Sequence, residues 1–134
     1  MKPKVAFVCV HNSCRSQMAE AVSKLYAEDV FDAYSAGTHT KPEINQDANR
    51  IVKNRLDVDM NATQYSKTLD AIPEVDIVIT MGCNVECPFV PSRHQEDWGL
   101  DDPSGLSDVE FERTLSLIME KVMDLKQRIE DDII

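Results

Sequence analysis

The chain has 134 residues, 43% of them hydrophobic, with 24 acidic against 14 basic side chains and a formal net charge of −10. That length points to one domain, residues 1–134, able to bury roughly two-thirds of the surface its unfolded chain exposes. The acidic balance argues against nucleic acid and anionic membrane as partners, and any anionic substrate must be drawn in by local dipoles and placed cations.

After Lys2-Pro3-Lys4 comes the apolar run Val5 to Val10. It is shorter than a signal-peptide core or a membrane span, so a cytoplasmic location is expected. In that compartment four cysteines are not expected to form structural disulfides. A continuous apolar run suits a strand buried on both faces. It breaks at His11-Asn12-Ser13, and Met18, Ala21, Val22, Leu25 and Tyr26 then recur at helical spacing. Phe31 to Ser35 alternates and ends at Gly37, which reads as a second strand. Asn45 is placed to cap a helix carrying Ala48, Ile51, Val52 and Leu56. Val75 to Met81 reads as a third strand, closed by Gly82, and a short fourth is expected near Arg93 to Trp98. Ser107 and Glu110 form a capping box for a last helix. Its stripe is Phe111, Leu115, Ile118, Val122, Leu125 and Ile129. There is no repeat or linker.

Strands alternating with helices predict an α/β fold: one three-layer domain with a four-stranded parallel sheet flanked by helices. Ligands in such folds sit outside the carboxyl ends of the strands. Segments 9–16, 83–87 and 98–103 all follow predicted strands and should meet at that edge.

Cys9-Val10-His11-Asn12-Ser13-Cys14-Arg15-Ser16 separates Cys from Arg by five residues, between a strand and a helix. Such a loop curls its backbone N–H groups inward as an anion nest, and the helix adds its positive end. Val10, His11, Asn12, Ser13, Cys14, Arg15 and Ser16 are therefore the candidate substrate-binding residues. Arg15 suits bidentate binding of two oxygens of a phosphate-like group. The same field should lower the pKa of Cys9 and make it a thiolate nucleophile. Ser16 is placed to donate to the sulfur, Asn12 tolerates left-handed geometry, and Cys14 reads as a packing thiol.

Cys9 to Ser16, continuing through Gln17-Met18-Ala19-Glu20, resembles the signature of the low-molecular-weight tyrosine phosphatase superfamily. Together with Tyr34-Ser35-Ala36-Gly37 and Trp98-Gly99-Leu100-Asp101-Asp102-Pro103, it is similar to the thioredoxin-coupled arsenate reductases of that superfamily over almost the whole chain. The resemblance implies a low-molecular-weight phosphatase-like fold and arsenate as substrate. It assigns the general acid to Asp102, directly before Pro103, over the neighbouring Asp101. Ser104-Gly105 stand where the phosphatases usually carry Tyr residues that help hold an aromatic substrate, which argues against a large aromatic substrate.

Cys83 and Cys87 are extra to a plain phosphatase. Their spacing is not the usual Cys-x-x-Cys of zinc sites and no second pair completes four ligands. No metal or cofactor is expected, and buried packing thiols remain the plain alternative. The resemblance implies a cascade instead: Cys9 forms a thiol–arsenate adduct, Cys83 attacks Cys9 as arsenite leaves, and Cys87 attacks Cys83. A thioredoxin-like reductant, or glutathione with glutaredoxin, then recycles the pair. Residues four apart on a helix sit about 5–6 Å apart at Cβ, against about 3.5–4.5 Å in a disulfide, so the 83–87 backbone must rearrange. Some relatives hold a monovalent cation at positions matching Asn12, Glu20 and Ser35. The remaining acidic ligand would fall near Ser66-Lys67, so a lysine ammonium can take its place and no ion is predicted. A monomer is expected. The competing readings are a tyrosine phosphatase with a Cys9 phosphoenzyme and a non-enzymatic thiol sensor or arsenite-binding module.

Overall fold

The computed structural model describes residues 2–82 and 90–134. Four strands, Lys4–Cys9 (β1), Asp32–Gly37 (β2), Ile77–Thr80 (β3) and His94–Asp97 (β4), form one parallel sheet in the order β2-β1-β3-β4. The helices are Arg15–Tyr26 (α1), Gln46–Leu56 (α2), Met60–Thr63 (α3) and Asp108–Glu130 (α4), with a 3-10 turn at Leu69–Ala71. The chain is thus an α/β domain of the expected class.

The strands alternate between two buried faces, which explains why β1 and β3 read as unbroken apolar runs. Val5, Phe7, Cys9, Ile77 and Ile79 join the main core with Met18 and Val22 of α1 and Phe111, Leu115, Ile118, Val122 and Leu125 of α4. Ala6, Val8 and Val78 face the other way, against Leu69, Ile72, Val75 and Val90. Glu96 of β4 accepts from both terminal nitrogens of Arg128 at 2.8 Å, tying the sheet's edge strand to α4.

The chain runs from β1 to β2 on one side, then crosses back over β1 to β3 on the other. The ends of β1 and β3 therefore diverge at a topological switch point, which leaves a crevice there. Gly37 ends β2 against the same place. A Cβ on it would lie 2.6 Å from the Val10 carbonyl oxygen and 2.9 Å from the Asn12 nitrogen, so only glycine lets the loop after β1 pack this closely.

Two sequence expectations need correction. Ser107 does precede α4, but its side chain makes no cap hydrogen bond and Glu110 pairs with Arg113, so no capping box forms. The strands are also shifted or shorter than read: β1 ends at Cys9 and β3 spans only Ile77–Thr80, with Val75 packing on the sheet beyond the ladder and Val10 turning to line the cavity. Asn45 caps α2 as expected, its side chain accepting from the Ala48 amide at 3.0 Å.

Candidate active site

Cys9 is the last residue of β1 and its side chain is buried. The chain then turns through Asn12, which adopts a left-handed φ of 50°, and enters α1 at Arg15. This turn aims the Asn12 amide at the Cys9 sulfur, 3.2 Å away. No side chain caps α1, and among the described residues the amides of His11, Ser13 and Cys14 meet no protein acceptor. Those free donors beside a helix N-terminus form the concavity that an oxyanion needs.

The Ser16 hydroxyl lies 3.0 Å from the Cys9 sulfur. Its direction follows from its neighbours. The Lys67 backbone N–H can only donate, and it donates to Asn12 Oδ1 at 3.0 Å. That fixes the Asn12 amide, whose Nδ2 donates to Ser16 Oγ at 2.8 Å. With its oxygen already accepting, Ser16 has its proton free for the sulfur. Gln17 locks the other side, its Nε2 reaching the Asn12 carbonyl and side-chain oxygens at 3.0 and 2.9 Å.

Arg15 is held from behind. Its Nη1 donates to the carbonyls of Met81 at 2.7 Å and Leu100 at 2.6 Å, which leaves Nε and Nη2 for an anion. These carbonyls come from the chain after β3 and after β4, so the crevice itself sets the guanidinium. Gly82 sits beside them with φ of 99°, and a Cβ there would lie 2.5 Å from the Leu100 oxygen.

The cavity above the sulfur is lined by Cys9, Val10, His11, Ser13, Cys14 and Arg15 from the cradle, with Lys41, Asp102 and Ser104. Segments 9–16 and 98–103 therefore meet as expected. Cys83 and Cys87 lie outside the described residues. Among the described residues Asp102 is the carboxylate that lines the cavity, and the neighbouring Asp101 does not line it. An Asx turn, Ser104 N–H to Asp102 Oδ1 at 3.0 Å, holds the carboxylate, and Arg15 Nη2 is 3.9 Å away. Burial opposes its ionisation, but the Ser104 hydrogen bonds and the charges of Arg15 and Lys41 outweigh that and hold it below the ordinary carboxylate range. Cys14 behaves oppositely: burial, aided by the Asp102 charge, pushes its thiol up to about 12. That suits packing and not attack.

Lys67 fills the place behind the cradle where a monovalent cation was considered. Its Nζ lies 3.5 Å from Glu20 Oε1 and 3.5 Å from Ser35 Oγ, and Lys24 meets the other Glu20 oxygen at 2.5 Å. Glu20 is thereby neutralised by two ammonium groups, and the residues present do not fit an added ion. His11 binds the His39 carbonyl through Nδ1 at 2.8 Å and so braces the loop.

Sequence reasoning missed Lys41, Ser104, Gln17 and Gln64. The first two stand far from Cys9 in sequence, and no local pattern marks them. Gln17 stands within the signature with no role of its own in sequence, and Gln64 carries no motif; their buried amides pair, Gln64 Nε2 to Gln17 Oε1 at 2.7 Å.

Comparison with known proteins agrees with this geometry. Residues 4–133 match the family described as low molecular weight phosphotyrosine protein phosphatase. An arsenate reductase of Bacillus cereus (strain Q1) is 36% identical over 126 residues, spanning 90% of this chain and 92% of its own. A solved structure described as an arsenate reductase in the phosphate binding state superposes with a TM-score of 0.84 at 33% identity, covering 96% of this chain and 99% of that one. A thioredoxin-dependent arsenate reductase of Corynebacterium glutamicum gives 0.79 at 32% identity, over 98% of this chain and 63% of that one. With its Cys9–Ser16 loop set at the switch point of a matching parallel sheet, the chain belongs to the low molecular weight phosphotyrosine protein phosphatase family, where the relatives it resembles include proteins named arsenate reductase.

Proposed function

We propose that this protein is an enzyme that reduces arsenate to arsenite, with Cys9 as nucleophile and Cys83 and Cys87 as the thiols that carry the electrons onward. The observation that carries the reading is the convergence on one cavity of the Cys9 sulfur, unpaired loop amides, an anchored Arg15 and the Asp102 carboxylate. The likeness to proteins named arsenate reductase supports arsenate as the oxyanion.

Cys9 attacks as the thiolate, with the Asn12 amide and Ser16 hydroxyl supporting the sulfur. Arg15 and the amides of His11, Ser13 and Cys14 hold the arsenate oxygens. The ionised Asp102 takes a proton from one As–OH and returns it to the departing oxygen, which leaves as water. The thiolate and the arsenate monoanion thus give a dianionic thiol–arsenate adduct with no outside proton. Cys83 then attacks the Cys9 sulfur, and the As–S electron pair passes to arsenic. Arsenic(V) becomes arsenic(III), arsenite leaves, and a Cys9–Cys83 disulfide remains. Cys87 attacks Cys83 and frees Cys9. A thioredoxin-like dithiol, or glutathione with glutaredoxin, reduces the Cys83–Cys87 bridge. The protein acts as a monomer in a reducing cytoplasm. Among the described residues no helix is long and apolar enough to cross a membrane.

The test supplies thioredoxin, its reductase and NADPH, and follows arsenate-dependent NADPH oxidation. Turnover is expected, and it is abolished by Cys9→Ser. In Cys87→Ser, one turnover should trap a Cys9–Cys83 bridge readable by mass spectrometry. No turnover with either the thioredoxin or the glutaredoxin system rejects the reading. The phosphatase alternative uses the same cradle through a Cys9 phosphoenzyme. Full aryl phosphatase activity in Cys83→Ser, without arsenate turnover by the parent enzyme, selects it.

A further inference from the structure

Arsenate must approach a protein of net charge −10, and the charges at the mouth of the cavity decide whether it is met by attraction or repulsion. With Cys9 as thiolate and Asp102 ionised, the site carries two negative groups. Arg15 supplies one positive charge, with its Nη1 committed to the Met81 and Leu100 carbonyls. Those three groups alone leave the mouth negative.

Lys41 is the remaining cation lining the cavity, and its charge is felt at Asp102. It is exposed, and among the described residues no salt bridge uses it. Its position is nonetheless built. The segment after β2 is fastened to the cradle on both sides of Lys41. The Thr38 and His39 amides donate to the Val10 carbonyl at 2.9 and 2.8 Å, and the Asn45 amide donates to the Ser13 carbonyl at 2.7 Å. Asn45 Nδ2 also reaches Ser104 Oγ at 3.3 Å, which ties this segment to the loop of Asp102. A lysine carried between those anchors lines the same cavity as Cys9, Arg15 and Asp102.

We propose that Lys41 is the substrate-capturing residue of this enzyme: its ammonium neutralises the mouth and holds the outward oxygens of the incoming oxyanion, while Arg15 and the loop amides hold the inward ones. The inference rests on arsenate or a like tetrahedral oxyanion binding at Cys9, and it adds a positioning residue that the Cys9–Ser16 loop does not contain. Because Lys41 touches the oxyanion and not the sulfur, its contribution falls on binding and is shared by the ground and transition states. An exposed ion pair of this kind is worth a factor of up to about five.

The test compares the parent protein with Lys41→Met and Lys41→Arg. In steady-state arsenate reduction, Lys41→Met should raise KM about two- to fivefold with kcat essentially unchanged, and Lys41→Arg should restore KM. Inorganic phosphate, measured by calorimetry, should bind Lys41→Met more weakly by the same factor. That second measurement needs no turnover, so it still tests Lys41 if arsenate reduction itself fails. Unchanged phosphate affinity in Lys41→Met overturns the proposal, as does a loss confined to kcat or a failure of arginine to rescue.

Discussion

The backbone N–H of Lys67 donates to Asn12 Oδ1 at 3.0 Å, and through this bond a residue 55 positions along the chain fixes which way the Ser16 hydroxyl points at Cys9. A backbone donor has no alternative role, so the relay Lys67–Asn12–Ser16–Cys9 has one sense only.

Breaking the relay tests it. Ser16→Ala removes the sulfur's hydroxyl partner and leaves Asn12 Nδ2 unpaired. A hydrogen bond to a charged group is worth about 1.5–3 kcal/mol, so kcat for arsenate should fall about ten- to a hundredfold. Asn12→Ala also orphans the Lys67 amide, while Gln17 Nε2 keeps the Asn12 and Tyr65 carbonyls, and should lower stability by about 1–3 kcal/mol for that unpaired donor. Denaturant melts and steady-state rates check both, and parent-like kcat in Ser16→Ala contradicts the relay.

Lys67 acts as a covalently attached cation. Burial pushes its pKa down, and the Glu20 charge opposes that only in part. Lys67→Met should destabilise the fold by about 1–3 kcal/mol, because the buried Glu20 then keeps only the Ser35 hydroxyl and the half-exposed Lys24. Potassium chloride should then recover part of the loss in the variant. The parent's melting temperature should not respond to exchanging sodium for potassium at constant ionic strength, and a response in the parent counts against a filled site.

Asp102 is held ionised below the ordinary carboxylate range. A group with a depressed pKa keeps its charged form as pH falls until the lowered value is reached. Because the carboxylate form starts the proton relay, kcat/KM should hold as pH falls through the ordinary carboxylate value of 3.8 and drop only below it. Asp102→Asn should lose about 10²–10⁴ in kcat and show no such limb. A pH–rate profile of both proteins decides the matter.

Glu96 gives a stability prediction of the same sign. Arg128's hydrogen bonds, against opposing burial and with help from His94 and Trp98, lower its pKa to about 2. Its stabilisation is therefore complete above the unfolded value near 4.5 and is lost as pH falls from there through about 2. Glu96→Gln should cost on the order of 1–3 kcal/mol at pH 7 and almost nothing near pH 2. Urea melts at the two pH values measure the difference, and an equal cost at both contradicts the pairing.

The central strands were legible because β1 and β3 are buried on both faces and so read as unbroken apolar runs. The stripe of α4 was legible because a buried helical face repeats every three to four residues. The segment 60–71 was not, since α3 and the 3-10 turn are single turns held by contacts such as Asn49 Oδ1 accepting from the Met60 amide at 2.7 Å, with no period of their own. The capping box at Ser107 was over-read: Arg113 and bulk water compete for an exposed glutamate, and Glu110 bonds outward.

The sequence by itself determined the setting of Cys9, because Cys9 to Ser16 is one contiguous turn whose strand, loop and helix are specified by neighbours along the chain. The family resemblance, and not the Asp-Pro turn alone, pointed to Asp102 over Asp101. Only the tertiary structure decided what holds Arg15, which way Ser16 donates, what neutralises Glu20, and that Lys41 stands at the mouth. Those groups meet because a parallel sheet with a switch point brings the ends of β1, β2, β3 and β4 to one edge. Hydrogen bonds and charges act over a few ångströms of space, whatever the number of residues between them.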